Sequence, residues 1–417
     1  MCFFQNISLV LVSRFINSTE FTLIALSKEL YVIIYILKRI VEKRKVSVDV
    51  MFCALAIMVL LCYWIMNGTG TFKGQLSSFR QLYLPFAFYM FGRLCDIHTT
   101  DYTDIMRYYV KVCVIAVTVG IVDMIFGVVF WSQLGLSEYA ALKNNLDYMR
   151  DGMYRSFYTY DFLGLKLRRM ASILVDPVIL GQLFGIGFLF AFFSDGLFKK
   201  KAHKYLCSLY IFIGLILTFA KGGIIIAVFS SCILLGKVAK KKIVSYGLLF
   251  LGICVFVIFT LDSIEAGHSG SNHVNGLISG IESLFSYQLG RGIGGGGNLA
   301  DLYGGFENNS VPGDESYVGT VMAQMGWIGL IMNLLFWCKF FKNVRNTYVG
   351  KDINIINTAC VVLFLTSFIN FTAISFNSCF IYIILGAAGV TLLKEERIQL
   401  IASNVGKNIM RGNHELL

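Results

Sequence analysis

Four arginines, Arg150, Arg155, Arg168 and Arg169, crowd the stretch of polar sequence between two long apolar runs. A guanidinium is a planar fork that grips phosphate or pyrophosphate oxygens through paired hydrogen bonds, so the cluster reads as an anion site. Ion pairs with Asp147, Asp151 and Asp161, or anchoring to lipid headgroups, are the competing explanation. Lys221, in Leu217–Gly223, stands at the start of a helix expected from Gly222. A helix N-terminus favours a nearby anion; snorkelling of the lysine to the membrane surface competes with ligand contact. Arg291 lies inside the glycine-rich run Leu289–Asn298. Such backbone can approach a ligand closely and offer N–H groups to an anion, although a flexible linker has the same composition. Gly292, Gly294 and Gly297 match G-x-G-x-x-G, but no strand–helix context surrounds them, which rejects a dinucleotide fold.

Acid–base chemistry has two candidates. Glu315, in Asp314–Tyr317, becomes a general base if burial lifts its pKa toward neutrality, while Asp314 reads as a helix cap. His273 falls in the first turn of an amphipathic helix whose apolar stripe is 274, 277, 278, 281, 284 and 285. That helix is expected on the outer membrane face, with Ser271 or Asn272 as its cap. Two charges sit inside apolar runs, Arg80 and Asp123; buried intramembrane charges need partners or a wet cavity. They are expected to pair with each other, or else Asp123 serves an outward-facing cavity as its acid–base group. No D-x-D sequence occurs, which argues against a metal-held nucleotide sugar, and no metal or cofactor is expected. The 11 cysteines include no C-x-x-C pair, which argues against a disulfide framework or a zinc site.

These residues must be positioned by membrane helices. Of the 417 residues 56% are hydrophobic, only 15% are charged and three are proline; mean hydropathy is +0.69. An ordinary soluble domain is about a quarter charged, so a soluble enzyme is excluded. The expected architecture is an all-α polytopic membrane protein forming one domain, 1–417, with about 12 transmembrane helices (10–12). The expected spans are 3–16, 20–37, 48–66, 77–95, 109–130, 172–193, 206–219, 222–236, 243–261, 317–338, 353–371 and 374–393. Asp176 and Pro177 read as the cap and first turn of the sixth. Alternate connections carry 23 of the 36 Lys and Arg residues, which by the positive-inside rule places them, and both termini, in the cytoplasm. The net charge of +11 is thereby a topology signal and not a nucleic-acid footprint. Two large loops, 131–171 and 262–316, then face outward. The first apolar run carries Arg14 and lacks a small-residue cleavage site, so the spans themselves are expected to direct insertion.

Three groups of residues carry a resemblance. Arg169–Gly181 resembles an arginine, small-residue, [DN]-Pro helix start. Leu217–Gly223 resembles a Thr-x-Ser-Arg-Gly hairpin. His273–Gly280, Leu289–Asn298, Glu315-Ser316-Tyr317 and Gln324-Met325-Gly326 resemble the His-x-x-Gly-Leu, Gly-x-Gly and Glu-Ser-Tyr series that closes a large periplasmic loop. In this order, over about 160–335, they resemble the Wzy-type O-antigen and surface-polysaccharide polymerases, a superfamily shared with O-antigen ligases. Lys221 departs from the family's arginine, and the Arg-x10-Gly spacing is off by one at Arg169/Gly181 and absent after Arg291. Glu315-Ser316, where ligases carry His-Asn, favours polymerase over ligase. The resemblance implies a GT-C-like glycosyltransferase fold in the bacterial cytoplasmic membrane and substrates linked to undecaprenyl pyrophosphate. It also implies a chain-length regulator and a flippase as pathway partners. Arg168, Arg169, Arg291 and Lys221 would then hold the pyrophosphate, joined by Arg150 and Arg155, with Glu315 or His273 as base. A ligase, or a flippase or other transporter, is the alternative. No internal repeat stands out, and the polar chemistry sits in the outer loops, which tells against a transporter.

Overall fold

The computed structural model describes residues 2–42, 46–95, 99–143, 146–162, 165–238, 242–265, 270–299, 315–345, 351–368, 382 and 386. The chain is mostly helical. In order the helices are α1 (Gln5–Val12), α2 (Ser18–Glu42), α3 (Val48–Asn67), α4 (Phe72–Leu94), α5 (Thr99–Phe126), α6 (Val128–Leu134), α7 (Leu136–Leu142), α8 (Pro177–Phe193), α9 (Lys201–Leu217), α10 (Lys221–Val238), α11 (Lys242–Glu265), α12 (Gly270–Ser286), α13 (Tyr317–Arg345) and α14 (Lys351–Thr366). Two small antiparallel hairpins interrupt the first loop, β1 (Met149–Arg150) with β2 (Met153–Tyr154) and β3 (Tyr158–Phe162) with β4 (Leu165–Arg168). By length and composition Val48–Asn67, Thr103–Phe126 and Tyr317–Cys338 match helices that cross a membrane, the last being broken at Gly326.

Helix ends follow local chemistry. Asp176 caps α8 as its sequence predicts, accepting from the Val178 and Ile179 amides at 2.8 and 3.1 Å ahead of Pro177. Helix α1 departs from expectation. It covers 5–12, about 12 Å of rise, and turns at Ser13, whose hydroxyl bonds the Val10 and Gly135 carbonyls. It is therefore too short to cross a bilayer core about 30 Å thick. It packs instead against the first loop, where Asn6 donates to the Leu174 carbonyl at 2.7 Å and Arg14 pairs with Glu138 at 3.0 Å.

Contacts along the helices decide which chain ends meet. Helices α2 and α4 run parallel, because Glu29 meets Arg80 and Tyr83 while Arg39, further along, donates to the Leu94 carbonyl at 3.3 Å. At the start of α2, Phe21 meets Tyr139 of α7 edge-on, ring centres 5.7 Å apart. The first loop, the start of α4 and the 67–71 turn before it accordingly share one end of the molecule, called here the loop end. The opposite end holds a buried ion pair, Arg93 with Asp49 at 2.9 Å.

The largest departure is in α13. Gly326 breaks it with φ 58 and ψ −143, outside the helical region. A straight helix would set Tyr317 and Asn333 about 24 Å apart along its axis. The Tyr317 hydroxyl instead donates to Asn333 Oδ1 at 2.8 Å, and a Cβ built on Gly329 would lie 3.0 Å from a Val321 methyl. Residues 317–325 thus fold back on 327–345 as a helical hairpin. The expected span 317–338 is corrected to a short half-helix followed by a longer helix. A positive φ at Gly326 and the lack of a side chain at Gly329 make the reversal possible.

Candidate functional site

Two polar assemblies stand at the loop end. The first is organised by Asp123, near the end of α5 and fully buried. Its carboxylate accepts from Trp131 Nε1 at 2.6 Å, from the Ala171 and Ser172 amides at 3.0 and 3.3 Å, and from the Arg168 guanidinium. Arg168 also donates to the Asp123 carbonyl at 2.8 Å. Two expectations fall here. Asp123 does not pair with Arg80, which bonds the buried Glu29 of α2 through both Nε and Nη2; the parallel course of α2 and α4 puts that carboxylate in reach. Nor does Asp123 serve an outward cavity, since it is buried and saturated with donors. Arg168 is likewise engaged in this ion pair, its Nη2 bonding both the Asp123 carboxylate and the Asp123 carbonyl.

Arg169 sits differently. Its amide donates to the Phe157 carbonyl at 2.8 Å and its Nε to the Thr218 carbonyl at 2.9 Å, while Met170 N reaches the Leu217 carbonyl at 2.9 Å. The arginine therefore closes the C-terminal end of α9, where orphan carbonyls attract cations. Thr218 is buried, and its hydroxyl bonds the Leu215 carbonyl and the Ala220 amide. Lys221 follows as the first residue of α10, one position earlier than its sequence suggests, and is half-buried. Close packing holds this hairpin on α8: Cβ atoms on Gly181 and Gly223 would lie 2.2 Å from Ala220 Cβ and 2.3 Å from the Gly181 carbonyl oxygen. The Arg169–Gly181 and Leu217–Gly223 segments, 36 residues apart, are thus one unit. Arg150, in β1, and Arg155, just after β2, lie outside it and are exposed; Arg150 is 3.8 Å from Asp151, which Lys166 approaches at 3.7 Å.

The second assembly surrounds the glycine-rich run, a strap pinned along both edges. On one side Ile293 N donates to Asn67 O at 3.0 Å and Thr69 N to Ile293 O at 2.9 Å. On the other, Arg291 N donates to Ala323 O at 2.8 Å and Gly292 N to Gln324 O at 3.0 Å. Gly294 N reaches Gln324 Oε1 at 3.3 Å, Gly290 N donates to Tyr287 O just ahead of the strap at 2.7 Å, and Gly295 N donates to Gly292 O within it at 2.9 Å. Six consecutive amides, 290–295, are therefore satisfied by protein oxygens, and residues 292–297 are buried. Both sequence expectations for this run, an anion-binding backbone and a flexible linker, are corrected. The glycines serve close approach: a Cβ on Gly292, at φ 96, would stand 2.1 Å from the Asn67 carbonyl oxygen. Arg291 keeps its side chain outside the ladder, with Nε donating to Ser283 Oγ at 3.2 Å and its guanidinium 4.4 Å over the Tyr287 ring.

Beside the strap, α12 packs on the half-helix through Gly276, Gly280 and Gly319. Its inner face is small, while Ile278, Ile281 and Phe285 of the apolar stripe remain exposed. The helix begins at Gly270, so Ser271 and Asn272 lie inside its first turn. His273 is also in that turn, but its imidazole lies outside the described residues, as does Asp314. The cap of the half-helix is Ser316, which accepts from Gly319 N at 3.0 Å and donates to Phe368 O at 2.7 Å. One residue before it, Glu315 adopts φ 53 and is largely withdrawn from water; burial pushes its carboxyl from an ordinary 4.5 up to about 7.

Chemically, the loop end combines cations on a rigid hairpin, a cation on a pinned strap and a carboxyl poised near neutrality. Among the described residues no three His, Cys, Asp or Glu side chains gather as a metal site. Glu29 and Trp131 were missed from sequence as structural partners; a glutamate inside an apolar run was the available signal for the first. No protein-family description matches the chain, and no characterised protein matches it either.

Proposed function

We propose that this chain is a membrane glycosyltransferase that polymerises oligosaccharide repeat units linked to undecaprenyl pyrophosphate. In this reading ten or eleven helices cross the bacterial cytoplasmic membrane in a GT-C-like arrangement, with the loop end, against which α1 packs, facing outward. The observation that carries it is the presence at one end of the molecule of Arg169, bonded to the α9–α10 turn, of Lys221 at the start of α10, and of a Glu315 whose pKa burial lifts to about 7. A hydroxyl on the non-reducing end of a new repeat unit attacks the anomeric carbon of the growing chain. A C–O bond forms there as the bond to the pyrophosphate oxygen breaks. Glu315 takes the hydroxyl proton, and the cations, including Arg291, hold the departing pyrophosphate and its developing charge. The linkage itself supplies the driving force.

Purified lipid-linked repeat units incubated with the purified protein should yield a ladder of products. Arg169→Ala and Glu315→Ala should leave the protein inserted and abolish the ladder, while Arg291→Ala should leave it inserted and slow extension many-fold to a measurable residual rate; long glycan at the wild-type rate from all three variants overturns the assignment. In cells, single capped units after gene loss support a polymerase, whereas long chains stranded on carrier lipid indicate a ligase.

A further inference from the structure

Gln324 is a primary amide buried to 1% exposure at the apex of the α13 hairpin. Its Nε2 donates to the Gly296 carbonyl at 2.6 Å and its Oε1 accepts from Gly294 N at 3.3 Å, while its own carbonyl accepts from Gly292 N at 3.0 Å. The preceding carbonyl, of Ala323, takes the Arg291 amide at 2.8 Å. Two consecutive residues of the half-helix thereby grip the strap from 291 to 296. On the far edge the Thr69 hydroxyl donates to the Arg291 carbonyl at 3.2 Å. The Arg291 backbone is consequently tied on both sides, and its side chain departs from a fixed point toward Ser283 and Tyr287. A buried amide is costly unless every polar atom is satisfied. An apolar residue would fill the space at the apex but leave Gly294 N and Gly296 O without these partners.

We propose that Gln324 is a positioning residue: it clasps the strap to the half-helix that follows Glu315, and so fixes where Arg291 presents its guanidinium to the anionic group of the substrate. This rests on the function proposed above for Arg291. Gln324 itself touches no substrate. A residue of similar length lacking the amide should loosen Arg291 without removing it.

The test uses the full chain in lipid nanodiscs, with Gln324→Met, Arg291→Ala and the double variant assayed for extension of lipid-linked repeat units. Gln324→Met should raise KM and lower kcat/KM about fivefold or more, the effect of losing one to two buried hydrogen bonds. The double variant should match Arg291→Ala within about twofold, because residues acting through one contact are not additive. Independent, multiplicative losses, or a lower kcat at unchanged KM as from a reduced folded fraction, overturn the proposal. Hydrogen exchange reads the clasp without substrate: Gln324→Met should speed exchange of the 292–296 amides and leave those of 171 and 172 protected. Unchanged exchange at 292–296 overturns the clasp. A wild-type protein that makes no ladder overturns the proposed function instead, and the exchange result then decides the clasp alone.

Discussion

Around Asp123 the loop end is held by charge, with one carboxylate collecting an arginine, an indole and two amides, whereas around Gln324 it is held by a backbone ladder and glycine contacts. The first solution consumes the arginine it uses: Arg168 is spent on Asp123, and Arg169 bonds a helix-end carbonyl. In the second, backbone makes the hydrogen bonds and the Arg291 side chain stays outside the ladder. A cation in a long outer loop is therefore not by itself a ligand. What matters is whether its charge already closes a buried account within the fold.

The widest separation between the two assemblies should come from Asp123→Ala. It leaves the part-buried Arg168 without its carboxylate and the Trp131 indole and two amides without their acceptor, at a cost of about 3 kcal/mol, read as lost thermal stability of the purified protein. Asp123→Leu with Arg168→Met should recover much of that loss, since an apolar pair can replace a buried ion pair. Failure of the double variant to recover anything would mean that the amides of 171 and 172, and not the charge, dominate.

In the strap the corresponding variant is Gly292→Ala. Its positive φ and the Asn67 carbonyl oxygen 2.1 Å from the new Cβ should cost about 1–3 kcal/mol. Gly247→Ala is the control: nothing lies within 4 Å of its Cβ in the exposed part of α11, so it should stabilise by about 0.5–1 kcal/mol. Equal effects at the two sites would refute packing as the reason for the strap's glycines.

Proton linkage sharpens the comparison at Glu315. Because its pKa in the folded chain, about 7, lies above its ordinary 4.5, folding favours the protonated form. The stabilising share is full below about 4.5 and is lost as pH rises through about 7. Unfolding midpoints measured across that window should fall for the wild type and flatten in Glu315→Gln. If Glu315 is the base, extension should rise with pH through the same midpoint near 7. The smallest effects belong to Arg150→Ala and Arg155→Ala, both exposed in the first loop, where stability should change by less than about 0.5 kcal/mol.

Much of the helix pattern was legible in the sequence, because apolar runs and caps such as Asp176 are local signals. The α9–α10 hairpin and the stripe of α12 were legible for the same reason. Failures came where a local pattern has two tertiary solutions. The run 317–338 has the hydropathy of a span, but Gly326 turns it back on itself. The glycine run has a linker's composition, but carbonyls of 67 and 323–324 stand where its amides can reach them. The first apolar run was expected to cross and instead ends after α1, where Ser13 and Arg14 meet the first loop.

By itself the sequence determined that this is a helical, membrane-compatible chain with polar chemistry gathered in two loops, because hydropathy and charge spacing are set residue by residue. It also determined that Arg80 and Asp123 each needed a partner, because a charge within an apolar run is too costly alone. Only the tertiary structure decided which partner. The ion pairs follow from the parallel course of α2 with α4 and from the first loop folding back on the end of α5. The same non-local packing tied Arg168 to Asp123 and brought Arg169 to the end of α9.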